Sequence, residues 1–429
     1  MAELQRFWAS ALPRLYGKRF VPVPAASVIP WRPGRSATIC GEFTSSAELA
    51  VVVKNNAVGG ICDDGRRGFI AWDARPSGDI LSLAKQHGSA AFAAVIAHEF
   101  GHVVQGQLGY LDRTRTIVAE QQADCFAGAF FARKLDGGGV RLGQGDFLSP
   151  AVIALLAVRD PVGSNPNDDD AHGSGFDRLR AFQDGLTDGL KGCKAYTKRL
   201  PKLFETPFQP GDGGTFPLGE LLPSLARDLN RHFTALDPAF PPLKLRIGTP
   251  DEGCSTAVTG IAACPAQGTV VTAPGLLKSV HRQVGDGAVA ALLAMGWSET
   301  RAMRETATPP SDRAAYDACR AGAWFRDVAR LSDSADGLQL SSGDVDEAVQ
   351  LLLRTSARSV SDENRSDSFL IRALSFRVGV TEPRGECLRT LTPVAVVRGT
   401  PSSHRRAASR ASASLTGRPD SITETTHFI

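Results

Sequence analysis

The chain lacks a long apolar segment, an excess of one charge and a recognisable leader. No run in its 429 residues approaches the roughly 18 apolar residues that cross a bilayer, which argues against a membrane-spanning helix. The formal net charge is only +3, and no basic stripe with interleaved aromatics occurs, so a nucleic-acid partner is not expected. Residues 1–20 lack the basic start and apolar core of a secretory leader.

The remaining composition is that of two soluble domains. With 42% hydrophobic and 22% charged residues, the chain can bury two cores of about 190 residues each. Clustered prolines and glycines predict a linker at 197–217, and the Ser/Arg-rich segment 396–429 predicts a disordered tail. We therefore expect a first domain at 1–196 and a second at 218–395.

The most informative motif is HEFGH at 98–102. It lies in an alanine-rich run, 89–108, that is bounded by glycines and predicts a helix of about six turns. Residues four apart share a helix face, so His98 and His102 can bind one metal ion from the same side. Glu99 lies about 100° around the axis, where it can act as general base on a metal-bound water. The alternative is a pair of buried structural histidines.

A second motif, ExxxD, offers a third ligand. Glu120 lies eighteen residues after His102, enough for a turn and an antiparallel helix that returns its carboxylate to the metal. Two histidines and one glutamate leave a fourth position open, as in catalytic rather than structural zinc sites. Asp124, on the same face as Glu120, is expected to accept the free N–H of His98 and orient the ring. The alternative for this pair is a solvated helix face.

These motifs resemble a family of bacterial (actinobacterial-type) neutral zinc metallopeptidases with a gluzincin-like HExxH and ExxxD arrangement. The likeness covers about 40–193, through segments at 61–73, 120–128 and 172–193. The resemblance implies a zincin-like fold and a metal-dependent hydrolase that cleaves peptides or proteins. The single complete ligand set predicts one Zn²⁺ per chain. By its place in the third segment, His172 is the candidate donor to the oxyanion. The alternative is a helix-start residue that satisfies backbone groups.

The second half of the sequence repeats the first but lacks its candidate metal ligands and catalytic residues. Three pairs of segments are similar: 83–100 and 280–297, 123–130 and 317–324, and 176–193 and 369–387. The six candidate site positions carry replacements: Met295 for His98, Gly296 for Glu99, Glu299 for His102, Ala314 for Glu120, Ala318 for Asp124 and Ser366 for His172. Packing residues persist, with Gly322 for Gly128 and Phe376 for Phe182. This pattern predicts a tandem duplication whose second copy is degenerate.

The expected fold class is α+β, mostly helical with a small sheet. Apolar segments at 49–53 and 69–72 are predicted to form that sheet over the motif helix. The strand at about 68–72 is further expected to align an extended peptide by main-chain pairing.

The eight cysteines follow the repeat, four in each half. The simplest pairing is the same in both halves: Cys40 with Cys62, Cys125 with Cys193, Cys254 with Cys264, and Cys319 with Cys387. Eight cysteines allow many connectivities, so the sequence leaves the pairing open. The rival interpretation makes Cys125 a zinc ligand, although its neighbour Asp124 occupies the ligand face. Disulfides predict an extracellular or cell-envelope protein whose leader is absent from this numbering, with a cytoplasmic location as the alternative.

The functional prediction is a zinc peptidase in which Glu99 activates a zinc-bound water. The second repeat is then inactive, with a structural role or a role in binding substrate or a cell-envelope partner. The alternative is a zinc-binding pseudoenzyme or scaffolding protein of the cell envelope.

Overall fold

The computed structural model describes residues 1–111, 114–136, 148–161, 164–165, 168–169, 171–197, 215–258, 260–304, 313–330, 338–341, 343–354, 368–382 and 387. Within these ranges the chain is mostly helical with small sheets, which confirms the α+β class. No helix in this part of the chain has the length and apolar character to cross a membrane. The predicted tail, most of the predicted linker and Ser366 lie outside the described residues.

The first half places one sheet against a group of helices. Its elements are α1 (Ala2–Tyr16), β1 (Val28–Trp31), β2 (Ala37–Ile39), β3 (Glu42–Thr44), α2 (Ser46–Val53), β4 (Ala57–Ile61), β5 (Gly68–Asp73), α3 (Asp79–His87), α4 (Ser89–Leu108), α5 (Thr116–Asp136), α6 (Leu148–Ala157) and α7 (Gly175–Cys193). Strand β5 lies between β1, which is parallel to it, and β4, which is antiparallel. Helix α4 packs against β4 and β5 of this sheet and against helices α5 and α6.

The second half has nearly the same order of elements. They are α8 (Leu218–Leu236), β6 (Lys244–Ile247), β7 (Ser255–Val258), β8 (Ile261–Cys264), β9 (Thr269–Thr272), α9 (Leu276–Gln283), α10 (Asp286–Arg304), α11 (Arg313–Arg330), α12 (Asp344–Arg354) and α13 (Ser368–Thr381). Strand β9 lies between a parallel β6 and an antiparallel β8, as β5 lies between β1 and β4. Strand β7 extends this sheet beyond β8.

The first helix of each half is tied to the chain that follows it by one side-chain amide. Gln5 on α1 donates to the carbonyl of Val23 at 3.2 Å and accepts the Val23 N–H at 3.1 Å. Asn230 on α8 makes the same two bonds with Leu243, at 2.9 and 2.8 Å. The two halves therefore share a specific polar contact as well as the order of their elements.

The closest helix contact in each half depends on a glycine. A Cβ placed on Gly128 of α5 would lie 2.0 Å from the carbonyl oxygen of Phe182 on α7. A Cβ on Gly322 of α11 would lie 2.0 Å from that of Phe376 on α13. Because no larger residue fits, the same helix pairs pack backbone to backbone in both halves.

The predicted cysteine pairing is confirmed at all four positions. The disulfides are Cys40–Cys62, Cys125–Cys193, Cys254–Cys264 and Cys319–Cys387. The second and fourth both span 68 residues. The second joins α5 to α7, and the fourth joins α11 to Cys387, which follows α13. Cys125 is therefore not available as a metal ligand.

The predicted strand at 49–53 is wrong, because these residues complete helix α2. The Ser45 hydroxyl accepts the Glu48 N–H at 3.3 Å, and the Glu48 carboxylate accepts the Ser45 N–H at 2.7 Å. This capping box starts the helix. Leu49 and Val53, four residues apart, then share its buried face. The cap and the packing outweigh the strand preference of a valine-rich segment.

Candidate metal centre

Three side chains converge between α4 and α5. The Nε2 atoms of His98 and His102 lie 3.1 Å apart. The Glu120 carboxylate places one oxygen 3.1 Å from His98 Nε2 and the other 3.1 Å from His102 Nε2. His98 and Glu120 are buried, and His102 is partly buried. Such a set could hold a metal ion.

Each histidine ring is oriented by a bond at its far nitrogen. His98 Nδ1 lies 2.8 Å from Asp124, and His102 Nδ1 lies 2.9 Å from Gln105 Oε1. Gln105 donates from its Nε2 to the Ala119 carbonyl at 2.7 Å, which leaves its oxygen as acceptor for His102. Both neutral rings then carry a proton on Nδ1 and a lone pair on Nε2, facing Glu120.

The electrostatics of the site favour a positive charge between these atoms. Burial opposes the charged form of His98, but Asp124 and Glu120 overcome it and raise its pKa to about 10. Burial acts to raise the pKa of Glu120, yet His102 and His98 hold it well below its usual range. A bound cation would supply the same charge without requiring protonated rings.

A buried arginine joins the site from α7. The Arg178 side chain is fully buried, and its guanidinium lies 3.0 Å from Asp124 and 3.9 Å from Glu120. It also donates to the Val158 carbonyl at 3.3 Å. Arg178 thus fixes the carboxylate that orients His98.

The Glu99 carboxylate lies beside the triad, at the edge of the sheet. One of its oxygens accepts the N–H of Gly59 on β4 at 2.7 Å. A Cβ on Gly59 would lie 1.9 Å from the Glu99 carbonyl oxygen, so only glycine lets the strand come this close. Burial raises the pKa of Glu99. The residue is therefore a buried carboxylate with a raised proton affinity next to the candidate metal position.

His172 lies just before α7 and lines the same cavity as the triad. Its main-chain N–H and that of Gly173 donate to one Asp160 oxygen at 2.8 and 2.7 Å, while its Nδ1 is 3.3 Å from the other oxygen. The bond to Asp160 raises the pKa of His172. The imidazole is about half exposed, so it can meet a ligand in the cavity.

The cavity has a volume of about 810 Å³ and is lined by the candidate residues from several elements. The triad, Glu99, His172 and Arg178 all contribute to it. Residues 55–59 form one wall, and residues 157–161 form part of another. Apolar side chains such as Ile80 and Leu83 complete the lining, so the cavity suits a partly apolar ligand.

In the second half, apolar side chains occupy the position that corresponds to the candidate metal centre. Gly296, at the Glu99 position, packs against Ile261 of β8: a Cβ there would lie 2.7 Å from the isoleucine side chain. Ile261 in turn corresponds in strand register to Gly59. The glycine and the larger residue have thus exchanged places. Met295 is buried beside them.

The described residues contain a second carboxylate cluster, formed by Asp286, Asp344 and Glu347 in the second half. Burial and the neighbouring Asp286 raise the pKa of Asp344 to about 7. Burial, together with Asp344 and Asp286, raises the pKa of Glu347 to about 8. Between the unfolded value of about 4 and these raised values, the folded chain binds more protons than the unfolded chain, so the cluster lowers stability as pH rises through this window.

Glu347→Gln should therefore stabilise the protein more at pH 8 than at pH 5. Glutamine can still accept the Gly287 N–H that Glu347 accepts at 2.9 Å, but it removes the buried charge. Melting temperatures at the two pH values measure the difference, which we expect to be a few degrees. The exposed substitution Glu252→Gln is the control. Equal shifts at both pH values would contradict the cluster's assigned role.

The predicted peptide-aligning strand at 68–72 does not lie at a sheet edge. It forms β5, which pairs with β1 on one side and β4 on the other. Within the described residues, β1 and β4 are the edge strands of this sheet, and β4 is the one that lines the cavity. The short segment was recognisable as a strand, but its neighbours depend on contacts distant in sequence.

Three side chains around the site were not predicted as site residues: Gln105, Asp160 and Arg178. Gln105 follows His102 by three residues, so helical spacing was a usable signal. Arg178 belongs to no metal-site motif, and Asp160 lies in a loop whose path the sequence does not reveal. No protein-family model, no curated protein and no solved structure matches the chain.

Proposed function

We propose that the first half is a zinc-dependent peptidase. The observation that carries the proposal is the convergence of His98, His102 and Glu120 with the base Glu99 in a cavity large enough for a peptide side chain. A tetrahedral zinc with bonds of about 2.0–2.2 Å separates its ligand atoms by about 3.3–3.5 Å. The separations of 3.1 Å seen here need only a small adjustment to reach that geometry.

When bound, zinc would lower the pKa of water toward 7 and polarise a peptide carbonyl. The Glu99 carboxylate takes a proton from the attacking water and delivers it to the leaving amine. Its bond to the Gly59 N–H holds one oxygen and leaves the other for this transfer. Asp124 and Arg178 keep His98 oriented. His172 donates a hydrogen bond to the developing oxyanion.

The orientation of the backbone groups of strand β4 favours a peptide as the substrate. Just before β4, the Asn56 carbonyl accepts the N–H of Asp73 on β5, and just after β4, the Cys62 N–H donates to the Arg67 carbonyl. Because hydrogen-bonded pairs alternate along an antiparallel ladder, Ala57, Gly59 and Ile61 turn their backbone groups away from β5. The Gly59 N–H indeed reaches Glu99 on that side. Because Glu99 occupies the Gly59 N–H, we propose that an extended peptide pairs with the other outward backbone groups of this edge, which replaces the role predicted for residues 68–72.

The repeated order of elements, the two amide contacts and the paired glycines support a tandem duplication of one zincin-like domain. In this proposal the copies correspond to the predicted domains at 1–196 and 218–395, and the second has lost its catalytic residues. The four disulfides support export to the extracellular space or the cell envelope.

Chelation tests the proposal on the whole protein. Removing metal with a strong chelator should abolish cleavage of casein or a peptide library, and one equivalent of zinc should restore it. Magnesium at the same concentration is the control, because it prefers oxygen ligands in octahedral geometry. Tight zinc binding with no cleavage of any library peptide would instead favour the zinc-binding pseudoenzyme.

A further inference from the structure

The two halves meet at the start of α7, next to the candidate site. The N–H groups of Gly175 and Phe176 donate to the two carboxylate oxygens of Asp346, at 2.8 and 2.7 Å. Asp346 belongs to α12 in the second half. The first N–H groups of a helix have no partners within it, and a carboxylate there is favoured by the helix dipole. The second half therefore caps a helix of the first.

The Asp346 carboxylate also contacts the chain segment that precedes His172. Asp346 lies 3.3 Å from the Arg159 side chain. The next residue, Asp160, holds the N–H groups of His172 and Gly173, and its own N–H donates to the Gly173 carbonyl at 3.2 Å. Asp346 thus contacts the chain on both sides of His172: Arg159, which precedes Asp160, and the first N–H groups of α7.

The fit around Asp346 is close and specific. It is 5% exposed, and in the described part of the chain its hydrogen-bond donors belong to the first half. A Cβ on Gly175 would lie 2.8 Å from Leu156 and 3.1 Å from Asp346. A buried carboxylate is costly unless it is paired and hydrogen-bonded. Burial raises the pKa of Asp346, and the N–H groups of Gly175 and Phe176, which belong to the first half, act against this rise. The hydrogen bonds across the two halves therefore offset part of the cost of burying the carboxylate.

We propose that Asp346 of the second half is a positioning residue that holds His172 in the first-half site. This inference rests on the proposed function for its catalytic readout. It assigns the second half a definite role: the half that lacks the triad helps to complete the cavity that contains it.

Asp346→Asn in the full chain tests the inference. Asparagine removes the charge and presents an NH₂ group toward N–H donors. We expect kcat to fall about tenfold, since small misplacements of catalytic groups have effects of this order. Zinc content and KM should stay near wild type, because the metal ligands and β4 are not touched.

A double-mutant cycle separates positioning from general destabilisation. If Asp346 acts through His172, Asp346→Asn should have little further effect on kcat in a His172→Ala background. Arg377→Gln is the matched control, because Arg377 lies 3.7 Å from Asp184, elsewhere on α7 and also between the halves. Its effect on kcat should be small and independent of His172. A full tenfold loss from Asp346→Asn in the His172→Ala background would overturn the proposal.

Amide hydrogen exchange tests the contact without any activity. In Asp346→Asn, exchange at His172, Gly173, Gly175 and Phe176 should be faster than in wild type, whereas Arg377→Gln should leave these amides unchanged. This readout stays decisive even if the protein cleaves no peptide, an outcome that would count against the proposed function alone. Unchanged exchange would overturn the inference.

A longer carboxylate provides a second variant if Asp346→Asn does not fold. Asp346→Glu keeps the charge but displaces the carboxylate by one methylene group. Faster exchange at the same four amides would support the inference, and wild-type exchange and kcat together would contradict it.

Discussion

Glu99→Gln should retain zinc at the wild-type level and hydrolyse peptides at least about 10²-fold more slowly. Glutamine keeps the size of glutamate and can still accept the Gly59 N–H, so the strand and helix should not move. It cannot take a proton from water. Metal analysis and steady-state cleavage of one peptide on the same preparation measure both quantities.

The control for this experiment is Glu48→Gln, which changes an exposed capping glutamate on α2. That variant should keep full activity and full zinc content. Burial raises the pKa of Glu99, so the wild-type base has a higher proton affinity than an exposed carboxylate. A Glu99→Gln enzyme as active as wild type would remove Glu99 from the mechanism.

The triad was predictable because its information is local. His98 and His102 are one helical turn apart, and Glu120 lies on the next helix, so periodicity and one short connection bring them together. The cysteine pairs were predictable for a different reason. Eight cysteines allow many pairings, and the repeat favours the one that is the same in both halves. In both cases a short-range rule or an internal comparison replaced knowledge of the fold.

The surroundings of the triad depend on contacts that no local rule contains. Gly59 reaches Glu99 only because β4 is an edge strand of its sheet, and Asp346 reaches α7 only because the halves pack together. Residues 49–53 show the opposite case, in which a local signal existed but was outweighed: the valines favour a strand, whereas the Ser45 and Glu48 capping box starts a helix. Caps should therefore be examined before strand propensity is trusted.

His102→Ala should reduce zinc from about one ion per chain to nearly none. Alanine removes one of three protein ligands and also ends the link through Gln105 to α5. His98→Ala should do the same, and Glu120→Ala should weaken binding severely. Metal analysis after dialysis against zinc-free buffer gives the stoichiometry.

The free energy of unfolding offers an independent measure of the loss of zinc binding in His102→Ala. Zinc at about 100 times its Kd should add about 3 kcal/mol to the wild-type free energy of unfolding and nothing comparable to His102→Ala. His87→Ala, at the end of α3 and outside the triad, is the matched control and should behave as wild type.

The expected stoichiometry of one follows from the chemistry of the two clusters. Asp286, Asp344 and Glu347 offer only oxygen atoms, which suit hard cations such as calcium and magnesium, whereas the triad offers two imidazoles that favour zinc. If a second tightly held zinc ion lay at the carboxylate cluster, Glu347→Gln should therefore release it. Zinc that remains at one equivalent in His102→Ala would show that the triad is not the zinc site, and the proposed peptidase mechanism would fail with it.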